Sequence, residues 1–259
     1  MTSPRDLRFL DQLAGEGRTA FTTALVRQTF GLSPQATSNL LNRLLEVGLV
    51  DRVASGRYAI RPLGSLGTAA AWDDLGSAVA AMFSGHPHRV GYLTALDYHG
   101  LLVRPARAVD VASPYWPHKK NLGARPLRAI YEDERTVGLG TEPLGPSRVA
   151  TVQRALLDIA SKPRLTAGAY RLAEALAAAP RVPELGELAQ AVGAVPGFRR
   201  IGSVASTLSL PVAGDLRPPP WKSLVELDRQ TRTEQGWVDT TWGVAWPYPA
   251  SELEAVVAA

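Results

Sequence analysis

The stretch Ser33–Gly48, SPQATSNLLNRLLEVG, places Gln35, Ser38, Asn39 and Asn42 on a segment whose leucines demand a helix. None of these four is chosen for helix stability alone. Taking about 100° per residue with Gln35 at zero, Asn39 lies near 40°, Asn42 near −20° and Ser38 near −60°. All four therefore share an arc of about 100°, opposite Ala36, Leu40, Leu44 and Val47, with Leu41 and Leu45 widening the apolar side and Thr37 turned toward it. A helix packed through its leucines thus offers solvent a face of short hydrogen-bonding groups. Asn and Gln pair bidentately with adenine in a major groove and Ser is adaptable, so the face suits base reading.

The flanking sequence supplies the rest of a unit. Asp6–Leu13 reads as an amphipathic helix with Leu7, Phe9, Leu10 and Leu13 inward, Ser3 as N-cap, Pro4 at the first position and Gly15 and Gly17 as the stop. Thr22 or Thr23 caps a second helix through ALVRQTF that closes at Gly31, and Ser33-Pro34 restarts the chain as the third. After Gly48, LVDRVASGRYAIRP is two β-branched runs joined at Ala54-Ser55-Gly56, a hairpin signal. Helix, helix, tight turn, helix, hairpin is the order of a winged helix-turn-helix. Candidate DNA contacts are Gln35, Ser38, Asn39, Asn42 and Arg43 on the third helix, Thr23 at the start of the second, and Arg52, Ser55 and Arg57 on the hairpin. The arginines suit phosphates or a minor groove.

Charge follows the same division. Residues 1–62 hold eight arginines against five acids, a balance of +3, which leaves +1 of the chain's +4 for everything beyond. The basic surplus sits in the first quarter, as expected of a segment that meets a polyanion. With 259 residues, 46% hydrophobic and 20% charged, the chain has material for two cores. It has no cysteine, which excludes disulfides and thiolate chemistry. No stretch reaches the roughly 18 uncharged apolar residues of a membrane span, and MTSPRDLRFLDQLAGEG, with its acids, is not a signal peptide. The expectation is a cytoplasmic protein that meets no membrane.

Residues 63–75, LGSLGTAAAWDDL, loosen into a Gly/Ala/Ser connection. The expected fold class is α+β: a winged helix-turn-helix over 1–66 followed by a larger mixed α/β domain over 67–259. In the second part AWDDLGSAVAAMF, HRVGYLTALDYHGLL up to Gly100, RVATVQRALLDIASKP up to Pro163, AYRLAEALAAAP, ELGELAQAVGAV and RIGSVASTLSL read as helices. VDVAS (109–113), LRAIYE (127–132) and the VGLG region (137–140) read as strands, and WVDTTWGVAWPYP as an aromatic β tail.

Three of these segments, YLTALDYHGL, PSRVATVQRALLDIASKP and RRIGSVASTL, resemble the AbiEi family, antitoxins of bacterial toxin–antitoxin operons and their regulator relatives. The matching positions are Thr94-Ala95-Leu96, His99-Gly100-Leu101 and Arg154-Ala155-Leu156-Leu157-Asp158. The resemblance implies a winged helix before a mixed α/β domain. It also implies a DNA-binding antitoxin that represses its own operon and counters a nucleotidyltransferase-like toxin encoded beside it. The aromatic tail after Pro218 departs from the family's pattern.

No constellation for catalysis stands out, so no enzymatic activity, cofactor or metal is expected. His86-x-His88 lacks a third ligand and reads as surface histidines. His99 reads as a helix-end group satisfying the last carbonyls. Asp73-Asp74 and Glu132-Asp133-Glu134 read as solvated loop or helix-start positions, and GLGTEPLG lacks the Lys-Ser/Thr of a phosphate loop. Lys119 and Lys120, after SPYWP, are candidate contacts to a DNA backbone or an acidic protein partner, against the plainer reading of a polar loop. The leading reading is a repressor and antitoxin, bound to operator DNA as a homodimer. The alternative keeps the winged helix and makes the C-terminal domain a small-molecule sensor.

Overall fold

The computed structural model describes residues 4–16, 18, 20–60, 75–117, 121–122, 125–166, 168–179, 181–228 and 233–257. The chain opens with α1 (Pro4–Gly15), β1 (Ala20–Thr22), α2 (Thr23–Phe30), α3 (Pro34–Glu46), β2 (Val50–Ala54) and β3 (Arg57–Ile60). The three strands form one antiparallel sheet in the order β1-β3-β2. Phe9, Leu10 and Leu13 of α1 bury against Phe21, Val26, Leu40, Leu41, Leu44, Val50 and Tyr58. Phe9 meets Phe21 edge-on at 5.3 Å and Phe21 stacks on Tyr58 at 5.7 Å, which ties α1 to the hairpin. Val47, expected inward, is 40% exposed because the helix has already ended and Val47 is its C-cap. Ser3, Gly17, Asp73, Asp74 and all but the last residue of the 63–75 connection lie outside the described residues.

The second part is built on a six-stranded mixed sheet, order β6-β7-β5-β4-β9-β8. Its strands are β4 (Arg89–Val90), β5 (Val109–Ser113), β6 (Asn121–Leu122), β7 (Arg125–Tyr131), β8 (Thr141–Leu144) and β9 (Ser147–Ala150). α4 (Leu75–Met82) precedes them, and α5 (Tyr92–Tyr98) and the short α6 (Glu134–Val137) run between them. Then follow α7 (Val152–Ser161), α8 (Gly168–Ala178), α9 (Leu185–Ala191), α10 (Val195–Thr207), a small sheet of β10 (Val225–Glu226), β11 (Trp237–Asp239) and β12 (Val244–Trp246), and α11 (Ser251–Val257). The aromatic tail is β as expected: Trp246 is fully buried and stacks on Trp237 at 5.2 Å.

Two expectations fail here. The VGLG region is not a strand: Asp133 accepts from the Arg135 N–H and starts α6, and the strand pair comes afterwards as β8 and β9. RVAT does not begin a helix, because β9 is held between β4 and β8; the helix starts after Thr151, whose hydroxyl accepts from the Arg154 N–H.

The acidic run is a correction as well. Glu132 is not solvated but closes a buried quartet with Arg89, Arg154 and Asp158. Arg89 donates to Asp158 at 2.6 and 2.9 Å and to Glu132 at 2.5 Å. Arg154 donates to Asp158 at 3.0 Å, to Glu132, and to the carbonyls of Thr136 and Leu139. Two cations face two anions, so the charges cancel where water cannot reach. Gly91 is required at this point, since a Cβ there would lie 2.4 Å from the Arg89 guanidinium. His99 is the C-cap of α5, as its place at the helix end suggested, with its backbone N–H donating to the Ala95 carbonyl at 3.0 Å. Its ring serves another element, the Nε2–H donating to the Ala150 carbonyl and joining α5 to β9 at 2.8 Å.

The two parts meet through α4. Ala81 is buried against Val53 and Ala59 of the hairpin, with Ala20 beside them.

Candidate nucleic-acid interface

The interface is built from the tight turn outward. α2 begins at Thr22, whose hydroxyl accepts from the Leu25 N–H, and ends at Gly31 in the left-handed region, φ 62°. Two residues later Ser33 caps α3 by accepting from the Ala36 N–H at 3.3 Å, with Pro34 at the first helical position. The N-terminal end of α3, beside Ser33 and Gln35, is the positive end of the helix dipole.

Gln35, Ser38, Asn39 and Asn42 are all exposed, and Thr37 is fully buried, its hydroxyl donating to the Ser33 carbonyl at 2.9 Å. The Gln35 amide donates to the Asn39 side-chain oxygen at 3.2 Å, so two reading groups are already oriented on one another one turn apart. Arg43 is half-buried in the last turn.

On the hairpin, Arg52 and Ser55 are exposed, and the turn passes through Gly56 at φ 68°. Thr23 is half-buried and braces that turn, its N–H donating to the Gly56 carbonyl at 2.8 Å. Arg57 is a correction to the expected phosphate contacts. Its guanidinium turns away from the hairpin tip and donates to the Met82 carbonyl and, at 3.1 Å, to the Ser84 carbonyl. These carbonyls lie where α4 ends, and a helix C-terminus attracts a cation. Lys119 and Lys120 lie outside the described residues. The sequence reading missed Arg27 and Gln28, exposed on α2 where the first helix of such a pair crosses the backbone. Their signal was present, since both fall off the side marked by the fully buried Val26.

An exposed amide and hydroxyl face, a helix start beside it and a hairpin carrying exposed arginine make up the geometry of a major-groove reader with a wing. Residues 2–57 match the MarR family. The MarR-like domain, a winged helix-turn-helix of DNA-binding transcriptional regulators, thus occupies the first quarter of the chain and precedes the larger mixed α/β region. The crystal structure of the RV2827C protein from Mycobacterium tuberculosis has the same fold at a TM-score of 0.63 and 14% identity. That likeness covers 100% of this chain and 94% of that one, so the two share the fold along their lengths. No curated protein matches the chain. Among the described residues no helix is long and apolar enough to cross a membrane.

Proposed function

We propose that this protein is a transcriptional repressor that reads double-stranded operator DNA with α3, acts as a cytoplasmic homodimer on paired half-sites, and serves as the antitoxin of its own operon. The observation that carries the DNA reading is the exposed row Gln35, Ser38, Asn39 and Asn42, set against a fully buried Thr37 on the same helix. Its chemistry favours adenine over guanine, because no arginine stands in the first two turns of α3.

The antitoxin half rests on the AbiEi-like segments. Ala95, Leu96, Leu101 and Ala155–Asp158 are buried and join α5 to α7, and His99 links α5 to β9. These positions hold the C-terminal domain together, which fits a family scaffold; a nucleotidyltransferase-like toxin as its target is what the resemblance implies. No catalytic step, cofactor or metal enters this reading.

The test uses the full chain on a duplex from upstream of its own gene and on a random duplex, from about 50 to about 200 mM salt. A retained preference for the upstream duplex, with affinity falling steeply as salt rises, is expected; equal affinity for both sinks the repressor reading. Co-expression with the neighbouring nucleotidyltransferase should restore growth. Failure to do so removes the antitoxin half and leaves the DNA half standing.

A further inference from the structure

The loop between α5 and β5 runs past a cavity of about 330 Å³ on the C-terminal domain. Arg104, Arg107, Arg128 and Arg171 line it against a single acid, Asp110, a formal +3. Leu93, Leu102 and Ala106 give it an apolar floor. The loop is pinned from both sides: Glu174 accepts from the Val103 N–H at 2.6 Å and Asp97 from the Ala106 N–H at 3.1 Å. Arg125 donates to the Ala106 carbonyl at 3.1 Å.

Every acid near the cavity is already engaged. Asp110, 1% exposed, accepts two bonds of 2.8 Å from Arg128 and one of 3.2 Å from the Leu93 N–H. Glu174 also holds Arg171 at 2.6 Å. Arg104 and Arg107 are exposed and have no acceptor among the described residues. Two unengaged guanidiniums on a loop whose backbone is held, over an apolar floor, leave a positively charged concavity open to an anion.

We propose that this cavity binds a small phosphate monoester carrying an apolar or planar body, a molecule of the size of a nucleoside monophosphate. A monoester brings about −1.5 to −2 charges and three acceptor oxygens, which suits unengaged guanidinium forks better than a single carboxylate does. The volume falls within the range of about 300 to 1,000 Å³ typical of small-ligand pockets, and a concave site favours a small molecule over a polymer backbone. This site does not rest on the DNA reading, since it uses no residue of the winged helix.

The full chain is titrated by calorimetry at low salt with adenosine 5′-monophosphate, adenosine and inorganic phosphate, and its thermal midpoint is followed in parallel. The monophosphate is expected to bind and raise the midpoint, inorganic phosphate to bind more weakly, and adenosine not to bind. The double variant Arg104→Gln/Arg107→Gln, which breaks no hydrogen bond or ion pair among the described residues, should weaken monophosphate binding at least about tenfold. Asn39→Ala should leave it unchanged. No binding by the monophosphate, equal binding by the double variant, or equal affinity for adenosine or inorganic phosphate would overturn the proposal. So would a double variant that loses only random duplex DNA, which would make the arginines a backbone contact.

Discussion

Arg89 keeps none of its side chain in water, yet its guanidinium faces two carboxylates at 2.5 and 2.6 Å. Asp158 answers both Arg89 and Arg154, the latter four residues earlier on the same helix, and Glu132, arriving from the end of β7, answers the same two. Each member fixes the others, so removing one charge strands the rest. Asp158→Asn leaves two buried cations against one anion and should cost about 3–5 kcal/mol in urea unfolding. Glu134→Gln, two residues from Glu132 but exposed, should leave the midpoint nearly unmoved. A small loss for Asp158→Asn would mean that water reaches the quartet. Tyr92, beside it, holds φ at 52°, a conformation rare for a bulky residue.

At the scale of the element, α3 separates reading from support within one turn. Asn39 is exposed and Thr37 buried, so their alanine variants should behave oppositely. Asn39→Ala should cost about 1–3 kcal/mol of discrimination at one base pair, measured by competition between operator variants, with the thermal midpoint held. Thr37→Ala removes the bond to the Ser33 carbonyl and should cost about 1 kcal/mol of stability while leaving the base preference intact. The reverse result would place α3 in another orientation on the groove. This element was legible because a 3.6-residue period, a Ser-Pro start and a glycine stop are all local signals. The segment 146–151 was not, because Val149 pairs with Val90 of β4 and with Glu142 of β8, partners distant in sequence or on the far side of a turn.

At the scale of the molecule, Arg57 belongs to the junction and Arg52 to the surface. Arg57 bonds two carbonyls beyond the winged helix, and Ala81 of α4 covers Val53 and Ala59 of the hairpin. Arg57→Ala should therefore lower the thermal midpoint and leave the salt slope of DNA binding unchanged, whereas Arg52→Ala should flatten that slope by about one unit. A flattened slope for Arg57→Ala would return it to the phosphate contacts. The same junction means that the winged helix is packed against the C-terminal domain through its sheet, even though most of its core is its own.

The sequence by itself determined the winged helix: its element order, the inward leucines of α3, the outward amides and the basic surplus all come from spacings within about one helical turn or one hairpin. It also marked most helices of the second part and its aromatic β tail. Only the tertiary structure decided where Glu132 and Arg57 point, because each is satisfied by groups more than 20 residues away, Arg89 and Arg154 for one and the end of α4 for the other. A charged side chain takes its position from whichever partner remains once water is excluded, and burial of that kind leaves no period in the chain. The cavity above Asp110 was hidden for the same reason: its arginines come from the 101–108 loop, β7 and α8, and only the packed sheet brings them to one place.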